Sequence, residues 1–140
     1  MLPEDQYISS KIREGEHQKL DFKYHISDAS KIARTFVAFA NSVGGELLIG
    51  VKDNGKVVGV SSEEEIYMLS LASERYCKPH VEFSVKDYVI DDKTVLCASI
   101  PKGNDRPYYA LEDGKWGVFI RHEDQNKFAN AILVKVLWKL

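Results

Sequence analysis

The chain has 140 residues, 44% of them hydrophobic, with 19 lysines and arginines against 21 aspartates and glutamates. This length and apolar fraction predict one globular domain, residues 1–140, that can bury its own core without disulfides or metals. The formal net charge of −2 argues against a non-specific nucleic-acid coat, although it leaves room for a local basic face.

The sequence predicts a cytoplasmic protein. Its start, MLPEDQYISSKIREGE, is polar and acidic and has no apolar stretch of the kind found in secretion signals. No stretch approaches the ~20 apolar residues that span a bilayer, so no membrane association is expected. Cys77 and Cys97 show neither metal nor redox spacing, and we expect both to be reduced thiols.

A short helix and a strand are predicted first. Apolar side chains at helical offsets predict an amphipathic helix over residues 3–13 that ends near Gly15. Over residues 15–26 the chain reads GEHQKLDFKYHI, in which apolar and polar residues alternate. This alternation predicts a strand with one solvent-exposed face, on which Asp21 and Lys23 lie.

The helix that follows should end at a double glycine. Ser27 or Asp28 can cap its start, and apolar residues keep helical spacing up to Val43. Gly44 and Gly45 then supply the positive φ angles that end a helix.

A tight hairpin is predicted directly after the double glycine. The β-rich run over residues 46–51 is followed by Asp53-Asn54-Gly55, a strong hairpin signal, and by a returning strand up to Gly59. We therefore expect the helix to pack against this hairpin, with Asp53 at the hairpin's mouth.

A second helix and a second hairpin should come next. Ser62-Glu63-Glu64-Glu65 is a capping-box sequence for a helix that Pro79 terminates. Alternating residues predict strands over 81–85 and 94–100, with a turn at Asp91-Asp92 between them.

A third hairpin and a closing helix complete the prediction. Strands over 108–111 and 116–121 flank Asp113-Gly114, and Asn126 is predicted to cap the last helix. The inward face of that helix is expected to hold Ala129, Ile132, Leu133, Val136 and Leu137. The order of elements predicts a compact α+β fold with a mixed or mostly antiparallel sheet and flanking helices.

Three carboxylates could form a metal site. Glu16 precedes the first strand, Asp21 lies on the polar face of that strand, and Asp53 lies at the hairpin mouth. Carboxylate oxygens brought together can hold Mg or Mn, and such a site can support phosphodiester cleavage. Each residue could equally be a solvated or capping side chain, and Asp53 is the residue that a type I′ turn selects.

Basic residues could form a phosphate-binding face with aromatic residues beside it. Cations bind phosphates and aromatic rings stack on exposed bases, so both are needed in a nucleic-acid groove. The alternative is a set of solvated lysines and core aromatic residues. The candidate cations are Lys19, Lys23, Lys31, Arg34, Lys52, Lys56 and Arg121, and the candidate aromatic residues are Phe22, Tyr24, Tyr108 and Tyr109.

The glycines do not indicate a nucleotide-binding loop. Such a loop places its glycines between a strand and the start of a helix, whereas these follow a helix C-terminus, whose carbonyls repel anions. The four histidines lack ligand spacing, and no serine or cysteine lies in a nucleophile-elbow sequence. Neither ATP binding nor serine or thiol hydrolase chemistry is expected.

The run GEHQKLDFK, followed by IARTFVAFANSVGGELLIGVKDNGKVVGV, resembles the AlbA_2 domain, a Schlafen-like domain described as DNA-binding. Residues 106–109, the strand ending at Arg121 and the closing helix are also similar to that family, so the resemblance covers the chain from about Gly15 onward. It implies a nucleic-acid-binding regulatory module that prefers DNA to RNA and needs no cofactor. Its phosphate contacts would come from Lys19, Lys23, Lys52, Lys56 and Arg121.

The resemblance also implies an alternative. In the animal Schlafen branch the same core resembles a Mg- or Mn-dependent endoribonuclease of structured RNA, whose catalytic and metal-binding acids would correspond to Glu16, Asp21 and Asp53. Two departures weaken this alternative, because Asp21 replaces the usual glutamate and Lys52 stands where an acid is frequent. A third alternative is a protein-binding or oligomerisation module, which could form a homodimer through an exposed sheet edge.

Overall fold

The computed structural model describes residues 3–139. In chain order these residues form α1 (Pro3–Glu14), β1 (Leu20–Lys23), α2 (Ala29–Ala40), β2 (Gly45–Ile49), α3 (Ser62–Tyr76), β3 (Cys77–Lys78), β4 (Ser84–Ile90), β5 (Lys93–Ile100), β6 (Tyr109–Glu112), β7 (Lys115–His122), β8 (Gln125–Ala129) and α4 (Ala131–Trp138). The strands form two four-stranded sheets, ordered β1-β2-β5-β4 and β3-β6-β7-β8. The predicted α+β fold is confirmed.

β1 and β2 are parallel neighbours, whereas the other strand pairs within residues 3–139 are antiparallel. Parallel neighbours need a crossover connection, and α2 provides it. Because parallel strands end at the same edge of a sheet, Lys23 at the end of β1 lies beside Ile49 at the end of β2. The segments that follow both strands therefore leave the sheet together.

α2 lies in the main core, between the two sheets. Its Phe36 and Phe39 belong to one apolar cluster with Leu47 of β2, Leu96 of β5 and Ala110 of β6. The helix thus packs on the first sheet and on the second sheet at the same time.

α1 covers the opposite face of the first sheet. Ile8 packs there with Phe22 of β1, Leu48 of β2 and Val95 of β5. Successive strand residues point to opposite faces, so Leu48 faces α1 while its neighbour Leu47 faces α2. The predicted first helix is confirmed.

β1 is shorter than predicted, and on its predicted solvent-exposed face only Lys23 is partly exposed. Residues 15–26 were expected to be one strand, but only Leu20–Lys23 forms it. Asp21, expected on the wet face, is 3% exposed because Arg121 of β7 covers that side, with 3.7 Å between Nη1 and Oδ2.

α2 begins and ends close to the predicted residues. Asp28 caps it by accepting a hydrogen bond of 3.0 Å from the Ser30 N–H. The helix ends at Ala40, before the predicted Val43, and the Gly44 N–H closes the turn by donating to the Phe39 carbonyl at 2.9 Å. Gly44 has φ +80°, and a Cβ there would lie 2.7 Å from a backbone oxygen, so glycine is required.

The Asp53-Asn54-Gly55 turn forms, but the predicted returning strand is wrong. The Gly55 N–H donates to the Lys52 carbonyl at 2.8 Å, which closes the turn. The segment after it makes an isolated bridge between Val51 and Val57. A returning strand has no edge to join, because β2 already pairs with β1 on one side and β5 on the other.

The two later hairpins form, although the first strand of the earlier one is Ser84–Ile90 and not residues 81–85 as predicted. Asp91 and Asp92 connect β4 to β5 with φ angles of 50° and 64°, and Asp113 and Gly114 connect β6 to β7 with 51° and 76°. Positive φ at both central residues is what a type I′ turn needs.

The predicted capping box of α3 is wrong. Ser61 is the N-cap, and its side chain makes no capping hydrogen bond. Glu65, expected to complete the box, turns inward and is 2% exposed. Its carboxylate instead accepts from the Ile26 N–H at 3.1 Å.

The prediction for the closing helix is wrong in two respects. Asn126 lies in β8, and Asn130 caps α4 by accepting from the Leu133 N–H at 2.9 Å. One side of this short helix meets the sheet through Val134, whereas three residues expected inside point outward. Ile132, Val136 and Leu137 are 75%, 68% and 47% exposed. No helix within residues 3–139 is long and apolar enough to cross a membrane.

Both cysteines are free and buried, Cys77 just after α3 and Cys97 in β5. Burial raises the pKa of each thiol to about 12, so neither is ionised at neutral pH. The expectation of unpaired thiols is confirmed.

Candidate nucleic-acid interface

Two hollows open at the edge where β1 and β2 end. The turn hollow, about 630 Å³, is lined by Phe22, Lys23, Tyr24, Lys52, Asp53 and Asn54. The α2 hollow, about 470 Å³, has a polar lining that includes Lys23, His25, Asp28, Lys31, Arg34 and Asn126. Because Lys23 lines both, the two hollows are adjacent.

The structure brings most of the predicted cations to these hollows. Lys23 and Lys52 meet at the turn hollow, and Lys56 follows across the turn, where its carbonyl accepts from the Lys52 N–H at 2.9 Å. Lys31 lines the α2 hollow. Lys19 is exposed but precedes β1, so it lies at the opposite end of that strand.

Arg121 is a buried residue, which contradicts its predicted role as a surface contact for phosphate. It is 5% exposed, and its Nη1 lies 3.7 Å from Asp21 and donates to Asn126 at 2.8 Å. Its Nη2 donates to the carbonyls of His17 and Leu20, both at 3.0 Å. Its donors therefore tie β7 to the start of β1.

Tyr24 is the predicted aromatic residue that reaches solvent at this edge. It is 59% exposed and lines the turn hollow, whereas Phe22 and Tyr108 are buried. Tyr109 packs in the cluster beneath α4. Phe22, Tyr108 and Tyr109 thus pack in or against the core, as the alternative of core aromatic residues predicts.

Glu16 and Asp21 form a close pair that Asp53 does not complete. The Phe22 N–H donates to Glu16 Oε2 at 3.0 Å and to Asp21 Oδ1 at 3.1 Å. Asp53 is exposed in the turn. Over the part of the chain that the structure describes, no three His, Cys, Asp or Glu side chains are arranged to hold a metal ion.

Burial and the neighbouring Asp21 carboxylate shift the pKa of Glu16. Burial, followed by the hydrogen bond to Asp21, raises the pKa of Glu16 to about 7. The Phe22 N–H opposes this shift because it stabilises the carboxylate form.

Replacing Glu16 by glutamine is expected to stabilise the protein at pH 8 and to change little at pH 4. A carboxyl group whose pKa is raised on folding contributes stability that is fully present below its unfolded pKa of about 4.3. That stability is lost as the pH rises through about 7. Since glutamine resembles the protonated form at every pH, the gain in urea midpoint should grow from pH 4 to pH 8.

The control for this prediction is Glu64→Gln, which removes an exposed carboxylate from α3. A gain from Glu16→Gln that is the same at both pH values would contradict the raised pKa.

His25, which lines the α2 hollow, pairs with a buried carboxylate, and sequence analysis missed this pair. His25 Nδ1 lies 2.9 Å from Glu65 Oε1, and the His25 side chain remains 51% exposed. The partners are 40 residues apart, so no local spacing indicates them. The Glu65 side chain accepts this hydrogen bond. It points into the core because of tertiary packing alone.

The chain is similar to one known protein family and to solved structures. The family model described as Schlafen, AlbA_2 matches residues 16–130. No curated protein matches the chain significantly.

Two solved structures share the fold. The DIP2311 protein from Corynebacterium diphtheriae is 18% identical with a TM-score of 0.63, covering 91% of this chain and 29% of that one. The N-terminal domain of the "Putative ATP-dependent DNA Helicase RecG-related Protein" from Nitrosomonas europaea is 20% identical with a TM-score of 0.57, covering 81% of this chain and 86% of that one.

This chain therefore spans less than a third of the length of the Corynebacterium protein, and both similarities concern the fold alone. Because the family model matches most of its length, the chain belongs to the Schlafen AlbA_2 family.

Proposed function

We propose that the chain is a nucleic-acid-binding domain that acts as a DNA-associated regulatory module. The observation that carries the proposal is the cluster of cations at the edge where β1 and β2 end, with Lys23 and Lys52 at one hollow and Lys31 at the next. Clustered lysines bind phosphates by releasing condensed counterions. The name of the Nitrosomonas relative, a DNA helicase-related protein, supports DNA as the ligand.

The topology of the sheet supports this location. Ligands of open α/β sheets bind outside the carboxyl ends of parallel strands, where the connecting segments diverge. β1 and β2 are such a pair, and both hollows lie at their carboxyl ends.

The buried Arg121 supports the positive charge of this edge. Asp21 lies 3.8 Å from Lys23 and would by itself neutralise it, but Asp21 also lies 3.7 Å from the Arg121 guanidinium. Asp21 is thus shared by two cations and does not neutralise Lys23 alone.

Nucleic-acid affinity is expected to fall with salt, and less steeply in a Lys52→Gln/Lys56→Gln variant. Each lost phosphate contact reduces the slope of log affinity against log salt by about 1, so the double variant should lose about 2. Fluorescence anisotropy with a labelled oligonucleotide between 50 and 200 mM salt measures both slopes. Lys102→Gln/Lys135→Gln removes two exposed lysines elsewhere and should leave the slope unchanged.

An affinity that does not change with salt would rule out a phosphate-driven mode. Absence of binding to both DNA and RNA at low salt would contradict the proposal altogether. That result would favour the protein-binding alternative, for which the exposed side of α4 is the candidate surface.

The metal-dependent ribonuclease stays a prediction of the resemblance. Two of its three predicted carboxylates, Glu16 and Asp21, lie together, but Asp53 does not join them in a ligand group within residues 3–139. We therefore assign no metal ligand and no catalytic step to these residues.

A further inference from the structure

We propose that this interface takes an unpaired segment of nucleic acid, whose strand crosses from the turn hollow to the α2 hollow. One base stacks on Tyr24, and a neighbouring phosphate binds His25 and Lys31. The inference rests on the proposed function and specifies the form of its ligand.

Tyr24 provides the stacking surface. Tyr24 is 59% exposed, and it lines the turn hollow together with Lys23 and Lys52. Every base has a π-face that can stack on such a ring, whatever the sequence. In a duplex those faces are covered by the neighbouring base pairs, so stacking on Tyr24 requires an unpaired base.

His25 continues the path into the second hollow. It is the next residue after Tyr24, yet its ring lines the α2 hollow while that of Tyr24 lines the turn hollow. The two ring centroids are 6.4 Å apart, with 47° between the planes. This short distance allows the backbone next to a base stacked on Tyr24 to reach His25.

Glu65 positions the imidazole. One of its carboxylate oxygens lies 2.9 Å from His25 Nδ1, and the other accepts from the Ile26 N–H at 3.1 Å. Because Glu65 is 2% exposed, this orientation is fixed by the core. When the ring is protonated, Nδ1 donates to Glu65 and Nε2 remains a donor for a phosphate oxygen.

The other charges around His25 favour an anion. Lys23 comes from β1 and Lys31 from α2, and both line the hollow. Asp28, at the start of α2, already accepts from the Ser30 N–H at 3.0 Å and from the Ser30 hydroxyl at 2.7 Å.

Arg34 adds little charge to the α2 hollow, because its guanidinium forms an ion pair with Glu112 of β6. The cations that reach a ligand are therefore Lys23 and Lys31, and the His25 imidazole lines the same hollow.

The test compares a labelled 15-nucleotide thymidine strand with a 15-base-pair duplex by fluorescence anisotropy. The wild-type protein should prefer the single strand. Tyr24→Ala should weaken single-strand binding about tenfold and leave duplex binding unchanged, while Tyr24→Phe should keep the wild-type affinity. Tyr67→Ala removes a ring from α3 that is 65% exposed and should have no effect.

The role of His25 is tested with the same strand. His25→Gln should weaken binding several-fold, because it removes the imidazole that Glu65 orients in the α2 hollow. Glu65→Gln should weaken binding in the same direction. Since Glu65 is buried, circular dichroism checks that this variant folds. If it does not fold, the His25→Gln variant alone tests the role of the pair, because the His25 side chain is half-exposed.

Unchanged single-strand affinity in either Tyr24→Ala or His25→Gln overturns this inference, as does a wild-type preference for the duplex. In those cases salt-dependent binding of the duplex would still support the proposed function. Failure of the wild-type protein to bind either oligonucleotide overturns both.

Discussion

Replacing Arg121 by alanine is expected to lower the free energy of unfolding by about 3–5 kcal/mol, the cost of breaking a buried ion pair from one side. The substitution leaves Asp21 buried without its guanidinium partner, and it frees the carbonyls of His17 and Leu20. It also empties the space over the Phe39 ring, whose centroid lies 4.9 Å from the guanidinium carbon.

Urea unfolding followed by circular dichroism measures this loss. Arg121→Lys keeps the charge but not the planar fork of donors, so it should recover a minor part of the stability. Arg75→Ala, which removes an exposed arginine from α3, should stay within about 0.5 kcal/mol of the wild type. An Arg121→Ala variant as stable as Arg75→Ala would show that the buried network contributes nothing.

Asn41→Ala is expected to cost about 3 kcal/mol or more, because it removes the hydrogen bonds to three backbone groups, two of them buried, at about 1–3 kcal/mol each. The Asn41 amide donates to the carbonyls of Tyr108 and Phe119 at 3.0 and 2.9 Å, and its oxygen accepts from the Tyr108 N–H at 2.7 Å. The residue is 5% exposed at the end of α2, so water cannot replace these bonds.

The same unfolding experiment tests this expectation, with Asn104→Ala in an exposed loop as the matched control. Asn41→Asp is a second variant of nearly the same shape. It replaces the donating amide by an acceptor facing two carbonyls, and should destabilise the fold at least as much at neutral pH. Stability close to wild type in both Asn41 variants would contradict a stabilising role of the bonds from Asn41 to the backbone of Tyr108 and Phe119.

Local signals predicted the elements that depend on neighbouring residues. The positive φ angles of Asp91-Asp92 and Asp113-Gly114 are decided within the turn itself, so both hairpins followed from the sequence. The Asp53-Asn54-Gly55 turn formed for the same reason, but its returning strand depended on a free edge of β2. That edge is taken by β5, which lies some 50 residues further along the chain.

Buried charges were the main failure of sequence reasoning. Asp21, Glu65 and Arg121 all occur in contexts typical of surface residues, and each is buried by a partner distant in sequence. Arg121 and Leu20 are 101 residues apart, so no periodicity could reveal that they meet. The burial of these side chains depends on topology, which periodicity does not specify.

The candidate site was predicted in part. Lys23, Lys52 and Tyr24 meet because parallel strands end together, and the sequence identified each of them without establishing that β1 and β2 are neighbours. The His25–Glu65 pair was not predicted, because it connects a loop to α3. Glu65, in the first turn of that helix, was expected to complete a capping box.

The position of α2 has a consequence for how the domain unfolds. The two sheets share no strand, and each presents one apolar face to the same helix. If one sheet unfolds, the face of α2 that packs on it becomes exposed, and the main core loses half of its covering. The domain should therefore behave as a single cooperative unit, with the α2 amides protected from hydrogen exchange until the whole chain opens.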